Sequence, residues 1–195
     1  MEERKAKIKR ETQETAVALE IVIDGSGEYE MTTGLRMFDH LLSQMAQHGC
    51  FDMKVSATSH DPHHMVEDVA LCLGRAFNQA LGDKKGIVRM GHAFVPMDDV
   101  LVMVAVDISG RGYAETEAGF GSDSISDLPA SLVMHFLESF AMEARLNLHC
   151  QVLRGTDDHH KAEALFKALG RALDQATRYD SRLQGRVPST KNTLE

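Results

Sequence analysis

A chain of 195 residues with 43% apolar side chains is long enough to bury its core as one compact domain or as two fused half-domains. Its 21 Lys and Arg stand against 29 Asp and Glu, and the formal charge of −8 argues against broad binding of nucleic acid or an anionic membrane, so any basic site must be local. Cys50, Cys72 and Cys150 form an odd set without CxxC spacing, Met1-Glu2-Glu3-Arg4-Lys5 opens no apolar leader, and no stretch reaches membrane-spanning length; a soluble, cytoplasmic protein with reduced thiols is expected.

In chain order, Ala16 to Asp24 has strand character, Ser26-Gly27 reads as a turn, and Tyr29 to Thr33 as a returning strand, which predicts a hairpin. A helix follows from Leu35 to His48. Its Leu35, Phe38, Leu42 and Met45 lie on one face, while His40, Gln44 and His48 fall at i, i+4 and i+8 on another. A strand from Phe51 to Ala57 leads into an amphipathic helix opened by His63-His64-Met65-Val66-Glu67. Asp83-Lys84-Lys85-Gly86 reads as a joint, after which the order repeats: Leu101 to Asp107, Ser109-Gly110, Tyr113 to Glu117. Gly119 to Ser126 is expected to be a mobile loop. Then come a helix over Leu128 to Leu146 carrying His135, a strand over Asn147 to Leu153, and a helix opened by His159-His160-Lys161-Ala162-Glu163. From Gln184 onward periodicity fades, and Pro188-Ser189-Thr190-Lys191 alone reads as a polar tail.

The two HHxxE blocks are separated by a constant offset of 96, from His63 to His159. Leu73-Gly74-Arg75-Ala76 recurs as Leu169-Gly170-Arg171-Ala172 at the same offset. The apolar set Val66, Val69, Ala70, Leu73, Phe77 is answered by Ala162, Leu165, Phe166, Leu169, Leu173. Such a repeat means duplicated structure. Each half reads strand, strand, helix, strand, helix, which favours an α+β fold of two-layer half-domains, helices against one face of a small sheet, the units packing helix to helix.

A single HHxxE block near a helix start is more often a cap or surface feature than a ligand set. Duplication of the whole set reverses that reading. Adjacent side chains on a helix diverge by about 100°, so His63 and His64 serve different ions, and either can share a face with Glu67 at i+4 or i+3. With His40 and His135 the inventory is six histidines and two glutamates, enough for two sites of three His and one Glu. Imidazole and carboxylate without thiolate suit a divalent Mn, Fe, Co, Ni or Zn, and a six-coordinate ion would keep two positions for substrate. His60, His92 and His149 lack a counterpart in the other half and read as ordinary surface or strand histidines.

Phe38-Asp39-His40-Leu41-Leu42 through His48-Gly49, both HHxxE blocks, Arg10-Glu11-Thr12-Gln13-Glu14-Thr15, Val95-Pro96-Met97-Asp98 and Pro188-Ser189-Thr190-Lys191 occur in one order. Together they resemble the imidazoleglycerol-phosphate dehydratase family of histidine biosynthesis, from about Arg10 to the tail. The resemblance implies an internally duplicated fold of the ribosomal protein S5 domain 2 type, with helices packed between two small sheets: half-domains over 1–84 and 85–182, and a tail over 183–195 that contributes to the phosphate site. It implies two Mn(II) per active site, other divalent transition metals being possible, and a homo-oligomer, a cubic 24-mer with metal sites at subunit interfaces. No nucleic-acid or membrane partner is expected.

Residue by residue, the resemblance implies that His40, His64, Glu67 and His159 hold one ion and His63, His135, His160 and Glu163 the other. It makes Glu14 the acid/base carboxylate and a substrate contact, where Glu14 by itself would read as an exposed strand residue. Gln44, His48, Arg89, Arg111, Lys167, Ser189, Thr190 and Lys191 are implied to bind the phosphorylated imidazole substrate. The expected reaction is loss of water from imidazoleglycerol phosphate through an imidazolate held by both metals, giving imidazole-acetol phosphate. A metal-dependent hydrolase of a phosphorylated substrate and a non-enzymatic metal-storage shell are the alternatives. Three departures from the family pattern stand out: a stretch before His63 about three residues shorter, Asp157-Asp158 ahead of the second pair, and a charge at Lys161 where the family usually has an apolar residue.

Overall fold

Alternation with period two decides the sheets: Thr15, Val17, Leu19 and Ile21 are buried on one strand, and Val100, Val102, Val104 and Val106 on another, with their neighbours turned outward. A computed structural model describes residues 4–194; the parts of the expected first half-domain and tail that fall on 1–3 and 195 lie outside the described residues. The elements run β1 (Lys5–Glu11), β2 (Thr15–Val22), β3 (Tyr29–Thr32), α1 (Arg36–Gly49), β4 (Asp52–Ser59) and α2 (Pro62–Leu81). They continue with β5 (Met90–Met97), β6 (Val100–Asp107), β7 (Tyr113–Glu117), the short β8 (Ser124–Ile125) and β9 (Leu128–Pro129), α3 (Ala130–Ala144), β10 (Asn147–Arg154) and α4 (Asp158–Thr177).

One sheet has the order β1-β2-β4-β3 and the other β5-β6-β10-β7, so the two halves share a topology. The expected hairpins are wrong in both. β3 does not return along β2; it runs parallel to β4, which occupies the place beside β2 in an antiparallel ladder from Thr15↔Ser59 to Val22↔Asp52. The reason is Asp52, whose Oδ1 accepts the backbone N–H groups of Ser26, Gly27 and Glu28 at 2.8, 3.0 and 3.0 Å. Ser26-Gly27 is therefore a crossing wrapped around the start of β4. The true hairpins are β1–β2 and β5–β6, whose first strands the sequence pattern did not announce. β1 alternates Lys5, Lys7 and Lys9 outward at the sheet edge, where charge guards unpaired backbone.

The duplicated apolar sets of α2 and α4 are all fully buried. α2 lies on the first sheet and α4 on the second, while α1 packs along α4 and α3 along α2, so each helix pair joins the two halves. Phe38, Phe136 and Phe166 meet at centroid distances of 5.5 and 5.1 Å, and Phe140 reaches Phe77 at 5.8 Å, tying all four helices into one core between the sheets. The repeated Leu-Gly-Arg-Ala motif marks the two crossings. A Cβ on Gly170 would stand 2.5 Å from the Met45 carbonyl oxygen, and one on Gly74 2.8 Å from that of Phe140. Hydrogen at these positions sets how closely α4 approaches α1 and α2 approaches α3.

Candidate metal centre

The α1/α4 crossing determines which ends of the helices face each other. Asp157 caps α4 by accepting the His160 N–H at 2.9 Å, and one turn of helix then stacks Glu163 over His159. His40 of α1 enters the same space. Glu163 Oε2 lies 3.0 Å from His40 Nε2 and 3.2 Å from His159 Nε2, while its Oε1 receives Lys167 Nζ at 2.7 Å. Burial pushes the Glu163 carboxyl up, but hydrogen bonds from Lys167 and His40 outweigh it and bring the pKa down to about 2. The carboxylate is thus charged and oriented across the acid and neutral range.

The other half builds the same arrangement in mirror order. α2 supplies His63 and Glu67, capped by Asp61 on the His63 N–H at 2.7 Å, and α3 supplies His135. The His63 and His135 rings stack at 4.7 Å, as His40 and His159 do at 5.6 Å. His135 Nε2 lies 3.7 Å from Glu67 Oε1 and is buried with no hydrogen-bond partner, which is costly for a ring nitrogen unless something else binds it. In each group of two His and one Glu the donor atoms lie within 4.8 Å of one another. Within a chain the glutamates are therefore exchanged relative to the partition implied by the resemblance: Glu163 joins His40 and His159, and Glu67 joins His63 and His135. The i+4 spacing from the first histidine of each block is the reason.

His64 and His160 stay outside both groups. His64 Nδ1 faces Glu14 Oε2 at 3.4 Å; His160 lies 3.6 Å from both Asp98 and Asp99. The Arg10 to Thr15 motif explains how Glu14 gets there. Arg10 Nε bonds buried Asp68 of α2 at 2.9 Å, Thr15 Oγ1 bonds the same carboxylate, and Thr12 Oγ1 accepts the Glu14 and Thr15 N–H groups, so the β1–β2 turn is docked on α2 with Glu14 exposed beside His64.

Of the residues expected to bind substrate, Arg89, Arg111, Ser189, Thr190 and Lys191 line one cavity of about 620 Å³ formed with the C-terminal segment. Arg89 is fully engaged there: Nε and Nη2 grip Asp107 at 2.6 and 2.9 Å, and Nη1 holds the Pro188 carbonyl at 2.9 Å. The tail is thereby fixed to the domain. Gln44, His48 and Lys167 do not reach this cavity; they follow His40 and Glu163 along the α1/α4 groove. Burial, then the cations Lys167 and Arg171, hold His48 below the usual histidine range. The Arg89 N–H bonds the Ala176 carbonyl near the far end of α4, so within one chain the cavity lies roughly 20 Å from Glu163 at 1.5 Å per residue.

The imidazoleglycerol-phosphate dehydratase family model matches residues 33–173. The chain belongs to that family. A relative named imidazoleglycerol-phosphate dehydratase from Dehalococcoides mccartyi is 60% identical over 195 residues, the whole of both chains, and one from a Roseiflexus species is 52% identical over 98% of each. Among solved structures, the dehydratase of Staphylococcus aureus superposes with a TM-score of 0.83 at 30% identity, covering 90% of this chain and 99% of that one. The enzyme of Pyrococcus furiosus, in complex with (S)-C348, gives 0.83 at 36% identity over 96% and 100%. Imidazoleglycerol-phosphate dehydratases are hydro-lyases of histidine biosynthesis, and that activity is this chain's. The hydrolase and storage-shell alternatives fall away.

Within this dehydratase the sequence pattern missed three carboxylates. Asp99, on the β5–β6 turn, faces His160 as Glu14 on the β1–β2 turn faces His64, and the duplication could have paired them. Asp127 gave no signal, and the loop contacts of Asp158 gave none either, because those partners are backbone N–H groups distant in sequence. His60, His92 and His149 are exposed. Among the described residues no helix is long and apolar enough to cross a membrane.

Proposed function

We propose that this dehydratase works with two divalent ions, Mn(II) by family resemblance, bound at the two His-Glu groups. The observation that carries this reading is the duplicated group itself: two imidazoles and a carboxylate converge twice, one of them with a buried, unpartnered ring nitrogen on His135. A set of imidazole and carboxylate without thiolate fits a divalent ion of intermediate hardness. When bound, such ions would supply Lewis acidity at the nitrogens of the substrate's imidazole ring.

The chain's own residues do the rest. The proton to be removed sits on the carbon next to the one losing its hydroxyl, with no carbonyl to acidify it, so a positioned base is required. Glu14 is our candidate, held on a turn that Arg10, Thr12 and Thr15 brace against Asp68. Arg111 and Lys191, with donors of the Ser189 segment, hold the phosphate, and Arg89 keeps that segment in place through the Pro188 carbonyl. Water leaves, and the enol becomes the ketone of imidazole-acetol phosphate.

A substrate whose ring and phosphate are joined by a short carbon chain cannot span roughly 20 Å of α4. That separation supports a homo-oligomer, the cubic 24-mer of the family, in which the tail cavity of one copy meets the His-Glu groups of another. His64 and His160, left outside the groups of their own chain, are then the fourth ligands for neighbouring copies. We place the enzyme in the cytoplasm, which the free Cys50, Cys72 and Cys150 support; burial pushes the Cys72 and Cys150 thiols up to about 11 and about 12. The test is reconstitution of metal-stripped protein with Mn(II), counting ions per chain and following loss of water from imidazoleglycerol phosphate by mass. Turnover that survives complete metal removal would sink the metal reading while leaving the family assignment intact.

A further inference from the structure

The two halves differ sharply at one connection. Between β3 and α1 the chain needs only Thr33-Gly34-Leu35, but between β7 and α3 it runs from Ala118 through the β8–β9 ladder to Pro129. This longer segment, expected to be a mobile loop, is pinned at both ends. At one end Asp158, in the first turn of α4, accepts the Gly121 N–H at 3.0 Å and the Ser122 N–H at 2.8 Å, and Lys161 Nζ bonds both Asp158 at 2.9 Å and the Gly119 carbonyl at 2.8 Å. At the other end Asp127 accepts the Arg36 and Met37 N–H groups, both at 2.9 Å, at a helix start whose own N-cap residue Leu35 provides no side-chain bond. Buried Ile125 and Leu128 seat the middle.

We propose that Lys161 and Asp127 are positioning residues for the His40, His159 and Glu163 group, acting through this strap. The inference rests on the metal reading of that group. The strap joins the first turn of α4 to the first turn of α1, and these are the helices that carry the three ligands. It therefore fixes the separation of His159 from His40 at the ends farthest from the Gly170 crossing. Lys161 is 5% exposed, and its counterpart in the first half is buried Met65, so the site accepts an apolar side chain and the charge has a separate reason to be there. That reason is Asp158: the lysine neutralises a carboxylate that must stay partly buried to hold two loop N–H groups. Among the described residues the His63, Glu67 and His135 group has no such strap, and its glutamate is more exposed, 39% for Glu67 against 10% for Glu163. The two metal positions are thus unequal by construction, the strapped one being the better preorganised.

The experiment uses the assembled, Mn(II)-loaded protein and three variants. Lys161→Met borrows the side chain of the duplicated position, Lys161→Arg keeps the charge, and Asp127→Asn weakens the far anchor. Metal retention is measured against a graded chelator, with His40→Ala identifying which ion belongs to the strapped group. Supporting outer contacts typically change metal affinity by about 10-fold or more. Lys161→Met and Asp127→Asn should each weaken that ion by about this factor and leave the other unchanged, and Lys161→Arg should recover most of it. Hydrogen exchange supplies the second readout: in Lys161→Met the Arg36 and Met37 amides, at the opposite end of the strap, should lose protection, which a merely local ion pair would not cause. Wild-type retention of both ions with unchanged variants, or unchanged protection at Arg36 and Met37, overturns the strap alone. A wild type that holds no Mn(II) sinks the metal reading and the strap's role with it.

Discussion

Gly170→Ala sets two physical effects of opposite sign against each other. Glycine in a helix costs about 1 kcal/mol relative to alanine, so propensity alone makes the substitution stabilising. The structure gives the other term: the new Cβ would sit 2.5 Å from the Met45 carbonyl oxygen and 2.9 Å from the Gly49 nitrogen, both backbone atoms of α1 that no rotamer change can move. Restoring ordinary contact requires the helices to part by about 1 Å, and overpacking of this kind costs ~1–3 kcal/mol, here at the upper end because backbone must shift. The net expectation is a loss of about 2 kcal/mol, or a fall of ~4–8 °C in melting temperature for a domain of this size. The same displacement separates His40 from His159, and a misplacement of about 1 Å can reduce turnover ~10²-fold. Thermal unfolding of the metal-free protein measures the first effect, steady-state turnover of the loaded protein the second. A melting temperature equal to or above that of the wild type would refute the role of the repeated glycine as the crossing point.

Three further outcomes are expected. Glu14→Gln keeps the size and hydrogen bonding of the side chain but removes the proton acceptor, so kcat should fall by roughly 10² or more with metal content unchanged, measured by turnover and metal analysis. Chelation should break the homo-oligomer into smaller species and Mn(II) should restore it, with His135→Ala weakening assembly while sparing the apolar core; one particle mass by light scattering in all states would remove the bridging role. Asp52→Asn tests the crossing that replaces the expected hairpin. Burial pushes this carboxyl up, but three backbone N–H groups more than offset it and hold the pKa below the ordinary 3.8. A carboxyl depressed on folding contributes stability that is complete above its ordinary value and drains away as pH falls toward the folded value. The variant should therefore lose about 1.5–3 kcal/mol at neutral pH and show a shallower decline below pH ~4, read from denaturant unfolding across pH.

The helices, and the meeting of His40 with His159 and of His63 with His135, were legible because they depend on local periodicity and on duplication. His40, His63, His135 and His159 converge as the repeat required, and the ten duplicated apolar positions of α2 and α4 are all buried. Sheet order was not legible, because strand pairing is decided by a carboxylate half a domain away: Asp52 captures the turn at Ser26-Gly27 and inserts β4 where a hairpin partner was expected. β1 and β5 escaped notice for different reasons. β1 is masked by its outward lysines, and β5 exposes Met90 and Phe94 where an alternating pattern leads one to expect polar residues. The grouping of the glutamates within a chain followed from side-chain direction along one helix turn, which periodicity narrows to i+3 or i+4 without choosing between them.

Duplication supplies two equal scaffolds, and the grooves of the two helix pairs part company in their charged residues. Arg75 on α2 is neutralised by Glu143 of α3 at 2.8 Å. Its duplicate Arg171 meets His48 at the position corresponding to Glu143, and Lys167 stands where the first half has Leu71. The α2/α3 groove is thus closed by the Arg75–Glu143 ion pair, while in the α1/α4 groove Lys167 pairs with Glu163 and Arg171 has an imidazole, not a carboxylate, at the position of Glu143. In a chain of net charge −8 the local difference comes from His48 and Lys167, an imidazole and an ammonium group at the positions where the other helix pair carries the carboxylate of Glu143 and the apolar Leu71. The α1/α4 groove is also the one whose helix ends are tied by Asp127 and Asp158. The cations of Lys167 and Arg171 and the Asp127 and Asp158 ties therefore fall on one side of the repeat, and the Arg75–Glu143 pair on the other.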